Sequence, residues 1–443
     1  MQGLYENLFY SKAVNELFTD DAFLGYMLRF EAALAKAQAK CGLIPASVAV
    51  IIEECCDVKN IDIDLLREQI ALSGNAAIPL IKQLTTKVDK QSPDAARYVH
   101  FGATSQDVID TATILQLKDV SGAIKTDLDK LISQLVILAE THRETVMIGR
   151  TFLQHARPIS FGFKVVCWID GLLRSRQRIE RLFNENFVLQ LGGAVGTLSG
   201  MEDKGIFVAE EMCIQLGLRL PLIAWHTQRD RIVEIGAALG ILAGNIGKIG
   251  TDVSLLMQTE VAEVLEPFVT GKGGSSAMPH KRNPVSSIVC ITIAQRVPPL
   301  VSSLMIGMVQ DHERATGAWH AEWEAMATII KLTAGSVKQA VMLTDGLEVD
   351  AERMRNNLEL TNGLIFAESV SQALSGTMSK TAAHELVEQW CLRAKEDGRH
   401  LKEIIMEDSV IKESVKGKID HIFNPLNSMG MCNEFIDRIL NSI

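Results

Sequence analysis

The residues best suited to chemistry lie together in Gly273-Gly274-Ser275-Ser276-Ala277-Met278-Pro279-His280-Lys281-Arg282-Asn283-Pro284. Glycines let a backbone approach a ligand closely and adopt positive φ. The hydroxyls of Ser275 and Ser276 can act as a base or as hydrogen-bond donors. Lys281 and Asn283 are donors matched to a developing negative charge. Pro279 and Pro284 interrupt any helix, so the stretch is predicted to be a loop. This set of groups fits a reaction that passes through a carbanion beside a carboxylate. A flexible surface connection would explain the Gly and Ser content, but it leaves Met278 to Pro284 without a purpose. A phosphate-binding P-loop fails on spacing, because Gly273 follows Gly271-Lys272 and Glu266 stands where the first glycine belongs.

Four further clusters carry polar chemistry. Arg150-Thr151-Phe152-Leu153-Gln154-His155-Ala156-Arg157-Pro158 gathers an imidazole, an amide, a hydroxyl and two guanidinium groups. A histidine titrates near neutrality and can donate or accept a proton; a structural histidine bonded to a carbonyl is the alternative. His100 to Asp107 places Thr104 and Ser105 just before a helical pattern. There they are either ordinary caps or, with the exposed N–H groups of a helix N-terminus, a carboxylate site. Trp225-His226-Thr227-Gln228-Arg229-Asp230-Arg231 could hold anions bidentately or form local ion pairs at a helix start. Asp311-His312-Glu313-Arg314, with Trp319, His320, Glu322 and Trp323 downstream, reads as a binding cluster or as a buried polar network. No metal site is expected: His312 and His320 are badly spaced, and His384-Glu385 lacks the second histidine of H-E-x-x-H.

The elements that must hold these groups read as helices. Leu128, Leu131, Leu135 and Leu138 advance by three and four residues, as do Ile246, Ile249, Val253 and Leu256. Each set makes one apolar stripe, and the near-heptad step suits long helices packed at shallow angles. No β-alternation and no hairpin signature is evident. Turn signals fall at Cys41 to Pro45, Gln91 to Asp94, the Ser275 loop and Thr344-Asp345-Gly346. They predict an N-terminal helical domain over 1–100, a central long-helix bundle over 101–345 and a C-terminal helical domain over 346–443.

Composition narrows the function classes. With 443 residues, several domains are expected. Hydrophobic residues at 47% with 11 prolines favour a helix-rich protein with large aliphatic interfaces. A formal net charge of −10 argues against nucleic acid or an anionic membrane as partner, yet leaves a small anionic substrate open. Eight scattered cysteines without a C-x-x-C pair point to a reduced, cytoplasmic protein. No export signal is evident near the N-terminus. The most apolar stretch, around Ile235 to Ile246, is interrupted by glycines and reads as too short to span a bilayer. Apolar stripes on more than one side of a helix suggest a homo-oligomer.

In this order, the motifs resemble the fumarase/aspartase superfamily over nearly the whole chain, with Gly-Ser-Ser-x-Met-Pro-x-Lys-x-Asn as its most specific signature. The resemblance implies an all-α, three-domain subunit with a long central helix bundle. It also implies a homotetramer with a twenty-helix core and active sites assembled from three chains. Within the superfamily, Ser73 to Pro79, Arg97 to Asp107, Trp225 to Arg231 and Gly317 to Trp323 resemble the 3-carboxy-cis,cis-muconate cycloisomerase family. Adenylosuccinate lyases share the Ser275 loop, but where they carry Arg-His-Asp for a nucleotide phosphate this chain has Ser73-Gly74-Asn75. The resemblance implies that Ser275 transfers the proton at carbon and that His155 occupies the second acid/base position. It makes Ser276, Lys281, Asn283, Thr104, Ser105, Thr151, Gln154 and Arg314 substrate-binding residues for a small polycarboxylate. No cofactor is implied, because the substrate's own carboxylate is the electron sink.

Overall fold

The computed structural model describes residues 3–408 and 417–443. Among the described residues, six helices are longer than twenty residues: α1 (Asp20–Lys40), α2 (Ser105–Thr141), α3 (Phe161–Asn186), α4 (Asp230–Leu256), α5 (Val285–Ile306) and α6 (Ala318–Thr344). Their ends follow from local chemistry. Thr19 Oγ1 accepts the Ala22 N–H, and Asp20 and Asp21 favour the positive end of α1. That helix stops where Gly42 takes φ +70° and the Leu43 N–H returns to the Gln38 carbonyl. The stripes read from the sequence are core: Leu131 and Leu135 on α2 and Ile246 and Val253 on α4 are fully buried.

Contacts divide the chain into two compact units. The first comprises residues 1–128, 175–244 and 292–338; the second comprises 129–174, 245–291 and 339–443. In the first, α1 packs on the helices Ala46–Cys55 and Gly205–Leu216, and Met27, Leu28, Phe30 and Leu34 are buried there. In the second, Val370, Leu374, Val387, Trp390, Leu401, Ile404 and Ile405 form a C-terminal core. A second cluster joins Val146 and Ile148 to Leu358, Ile365 and Phe366.

Two sequence expectations are overturned. The second unit holds an antiparallel hairpin, β1 (Val146–Thr151) with β2 (Gln154–Ser160), in register from Val146↔Ser160 to Thr151↔Gln154. Its two-residue turn is Phe152-Leu153, at φ 51° and 64°. Such turns normally carry Asn-Gly or Gly, so the sequence offered no hairpin signal. A second short ladder pairs β3 (Val264–Leu265) with β4 (Glu348–Val349). The other correction concerns length: α4 runs for 27 residues and α5 for 22, and both are long and apolar enough to cross a membrane. The glycines of α4 did not end its helix. Gly236 instead lies tight against Leu304, where an added Cβ would sit 2.6 Å from Leu304 Cδ1.

Candidate active site

In the first unit, Thr104 immediately precedes α2, and its N–H donates to Asp107 Oδ2 at 3.0 Å. This is the N3-to-N-cap half of a capping box. Asp107 is fully buried and also accepts from Gly192 N, Gly193 N and His226 Nε2 at 2.7–3.0 Å. The carboxylate therefore fixes the backbone at the helix start, leaving the Thr104 and Ser105 side chains half-exposed. Arg314 Nη1 donates to Thr104 Oγ1 at 2.9 Å. Burial pulls the Arg314 pKa below its ordinary value, and no carboxylate forms a salt bridge with it among the described residues. Two predicted ligands are thus brought together, with guanidinium donors to spare.

The cluster around Trp225 to Arg231 behaves otherwise. Arg229 is 3% exposed. It gives two hydrogen bonds to Asp110, at 2.7 and 3.0 Å, and three to Glu322, at 2.7–3.1 Å. Trp319 Nε1 and Gln106 Nε2 also donate to Asp110, and the guanidinium lies 4.9 Å from the centre of the Trp225 ring. Four of its five N–H donors are engaged inside the protein. Arg229 is thereby a structural ion-pair centre.

In the second unit, Arg150 and His155 face each other across the β1–β2 hairpin, as do Thr151 and Gln154. Thr151 and Gln154 are exposed beside the turn; His155 is half-buried, and its Nδ1 is buried without a hydrogen-bond partner. Desolvation and the nearby Arg150 charge lower the His155 pKa, which favours the neutral ring. Neither arginine of this stretch is free. Arg150 makes a bidentate pair with buried Glu263 at 2.6 and 3.0 Å, and Asn357 Nδ2 adds a third bond to that carboxylate. Arg157 pairs with Glu368 at 3.0 Å. Glu263, outside every sequence cluster, is the group the sequence reading missed; nothing in its spacing marks it.

The Ser275 stretch is irregular, as its prolines predict, and lies between β3 and α5. Ser275 Oγ accepts the N–H groups of Ala277 and Met278 at 3.3 and 3.1 Å. Hydrogen bonds to an oxygen favour its anionic form. Ser276 and Lys281 are exposed, and Asn283 is half-buried. The Asn283 N–H donates to the Gly273 carbonyl at 2.8 Å. Gly273 has φ +72°, and a Cβ there would stand 2.6 Å from Asn283 O, so only glycine closes this base. Glu266 holds the start of α5 by accepting from Ser286 N, Ser287 N and Ser287 Oγ at 2.8–3.1 Å.

Comparison with known proteins agrees with this architecture. Residues 10–298 match the family described as lyase, and residues 363–439 match the adenylosuccinate lyase C-terminus. The chain is 45% identical to 3-carboxy-cis,cis-muconate cycloisomerase of Acinetobacter baylyi, over 99% of this chain and 98% of that protein. It is 46% identical to the enzyme of that name from Pseudomonas aeruginosa, over 99% and 95%. The crystal structure of 3-carboxy-cis,cis-muconate lactonizing enzyme from Pseudomonas putida matches with a TM-score of 0.95 at 45% identity, covering 99% of this chain and 98% of that one. The all-α reading and the resemblance both stand, and this chain belongs to the lyase family of the fumarase/aspartase superfamily.

Proposed function

We propose that this chain is an intramolecular lyase that converts 3-carboxy-cis,cis-muconate to a carboxymuconolactone. The full-length identity to cycloisomerases supports the substrate. The observation that carries the chemistry is the pair of N–H groups on Ser275 Oγ. In lactonization, one carboxylate oxygen of the triacid forms a bond to a carbon of a conjugated double bond. The π electrons move onto a second carboxylate, giving an enediolate, and a proton is then added at the α-carbon. Ser275 gives that proton and is left as an alkoxide. The Ala277 and Met278 N–H groups are already in place to stabilise it. In the reverse elimination, the same alkoxide is the base.

The enediolate is the costly species, and preorganised donors supply the largest share of its stabilisation. In this reading Lys281, Asn283 and Ser276 hold carboxylates beside Ser275. Thr151 and Gln154 hold them at the hairpin, and Thr104, Ser105 and Arg314 at the start of α2. His155 orients the substrate, its ring N–H donating to a carboxylate oxygen, since an internal carboxylate nucleophile has no separate leaving group to protonate. A cytoplasmic homotetramer of three-domain subunits, with domain limits near residues 100 and 345, belongs to the same proposal. Support for self-association is α5, an apolar helix that one chain leaves largely uncovered. Ile288 and Ile306 on that helix are 50% and 77% exposed, a surface that a second copy would cover.

An absorbance assay tests the reading. Carboxymuconate should lose its conjugated-diene absorbance on addition of the protein. The match of residues 363–439 to the adenylosuccinate lyase C-terminus gives the competing substrate. Turnover of adenylosuccinate, seen as a change in the purine spectrum, with none of carboxymuconate would overturn the proposal. Against that outcome, Ser73-Gly74-Asn75 supplies no cation: Gly74 ends a helix at φ 76°, and Asn75 Oδ1 caps the next through Ala77 N and Ile78 N.

A further inference from the structure

We propose that Glu348 is a positioning residue for the Ser275 loop, acting through a latch to Arg282. This rests on the function proposed above. Arg282 lies between Lys281 and Asn283, inside the stretch that would hold an anionic substrate, yet its guanidinium is committed elsewhere. Nη1 and Nη2 make a bidentate pair with the Glu348 carboxylate at 3.1 and 2.7 Å. Nη2 also donates to the Glu266 carbonyl at 2.5 Å, and the guanidinium lies 5.9 Å from the centre of the Phe268 ring.

The anchor point is part of a paired backbone. Glu348 lies on β4, paired with Leu265 on β3. Glu266, next in the chain, is buried and caps α5 through Ser286 and Ser287. A fork-on-carboxylate contact fixes orientation as well as distance. Because Arg282 is covalently joined to Lys281 and Asn283, holding its side chain sets the direction in which both neighbours project. Catalytic groups must be held to within about 0.5 Å of their working geometry, and the outer part of the loop, from Ser276 to Lys281, is exposed.

Global stability is a poor reason for the pair. Its side chains are 34% and 47% exposed, and exposed pairs contribute little. Glu348 also has a second effect: it occupies a cation that would otherwise compete for the substrate's carboxylates. Removing the carboxylate should therefore slow the chemistry without weakening binding, the opposite of losing a substrate ligand.

The test compares wild type, Glu348→Gln, Arg282→Lys and the exchanged pair Arg282→Glu/Glu348→Arg. In Glu348→Gln, kcat on carboxymuconate should fall about tenfold with KM unchanged or lower. Amide hydrogen exchange of residues 274–282, without substrate, should quicken in that variant while the rest of the chain and Tm stay as in wild type. Arg282→Lys keeps the charge but loses the fork and should show the same exchange increase. The exchanged pair should recover part of both. Unchanged loop exchange in Glu348→Gln would overturn the latch, and so would faster exchange spread over the whole chain. The exchange readout needs no turnover, so it separates failure of the latch from failure of the proposed substrate.

Discussion

The start of α2 and the Ser275 loop both carry groups proposed to hold carboxylates, yet they are built in opposite ways. At the start of α2 the backbone is fixed from beneath. Asp107 collects four donors in a fully buried position, and one turn on, Asp110 shares Arg229 with Glu322 through five hydrogen bonds. In the loop, the Ser275 hydroxyl is held, among the described residues, by its own neighbours Ala277 and Met278. The first region resembles a mould and the second a jaw, latched at its base through Arg282 and open at Ser275. The difference suits a reaction in which a carboxylate must be received in one fixed pose. The proton must then be delivered by a group able to adjust between substrate and product. Loops that close over a substrate commonly show this division of labour.

The largest expected effect tests the jaw. Ser275→Ala should lower kcat by about 10²–10⁴-fold, the range for losing a positioned acid or base, with KM within a few-fold of wild type. Steady-state kinetics on carboxymuconate decides it: a rate near wild type would remove Ser275 from proton transfer and leave the loop as a binding element only. The next effect tests the mould. Arg229→Met strands two carboxylates in the interior, and breaking such a pair costs about 3–5 kcal/mol. Burial already raises the Glu322 pKa, so the loss measured by urea unfolding should shrink as the pH is lowered and that carboxyl is protonated. KM of the folded fraction should not change. A stable variant with a raised KM would show that Arg229 binds substrate after all, and the comparison would fail.

Much of this architecture was legible in the chain. Period-3.6 stripes marked the long helices, because a buried helix must present one apolar face. Pro279 and Pro284 marked the loop, because proline denies a helix its hydrogen bonds. Thr104 preceding a helical pattern, with Asp107 three residues on, was legible as a helix start. What could not be read was which charges cancel. Arg229, Arg150 and Arg314 look alike in sequence, but their partners stand far along the chain, at Asp110 and Glu322, at Glu263, and at Thr104. Only folding separates a committed guanidinium from a free one. The hairpin stayed hidden for a different reason. Phe152 and Leu153 occupy a left-handed turn that their side chains disfavour, and they are 98% and 80% exposed. Strain of this kind persists only where the surrounding structure enforces it, so local propensity points away from it.

Arg314 sharpens the comparison most finely, since it belongs to the mould yet has donors left over. Its Nη1 donates to Thr104 Oγ1, and desolvation already presses on its charge. An incoming carboxylate would relieve that cost, so the bound state should gain where the free protein loses. Arg314→Ala is therefore expected to raise KM by about tenfold, corresponding to roughly 1.4 kcal/mol, with a smaller change in kcat. Tm should hold or rise slightly, because a partly buried cation without a carboxylate partner is removed. Arg314→Lys should recover only part of the affinity, since an ammonium cannot contact Thr104 and a carboxylate through one planar fork. If Arg314→Ala instead lowered Tm and left KM alone, Arg314 would rank with Arg229 as internal scaffolding, and the carboxylate pocket at the start of α2 would shrink to Thr104, Ser105 and the helix N–H groups.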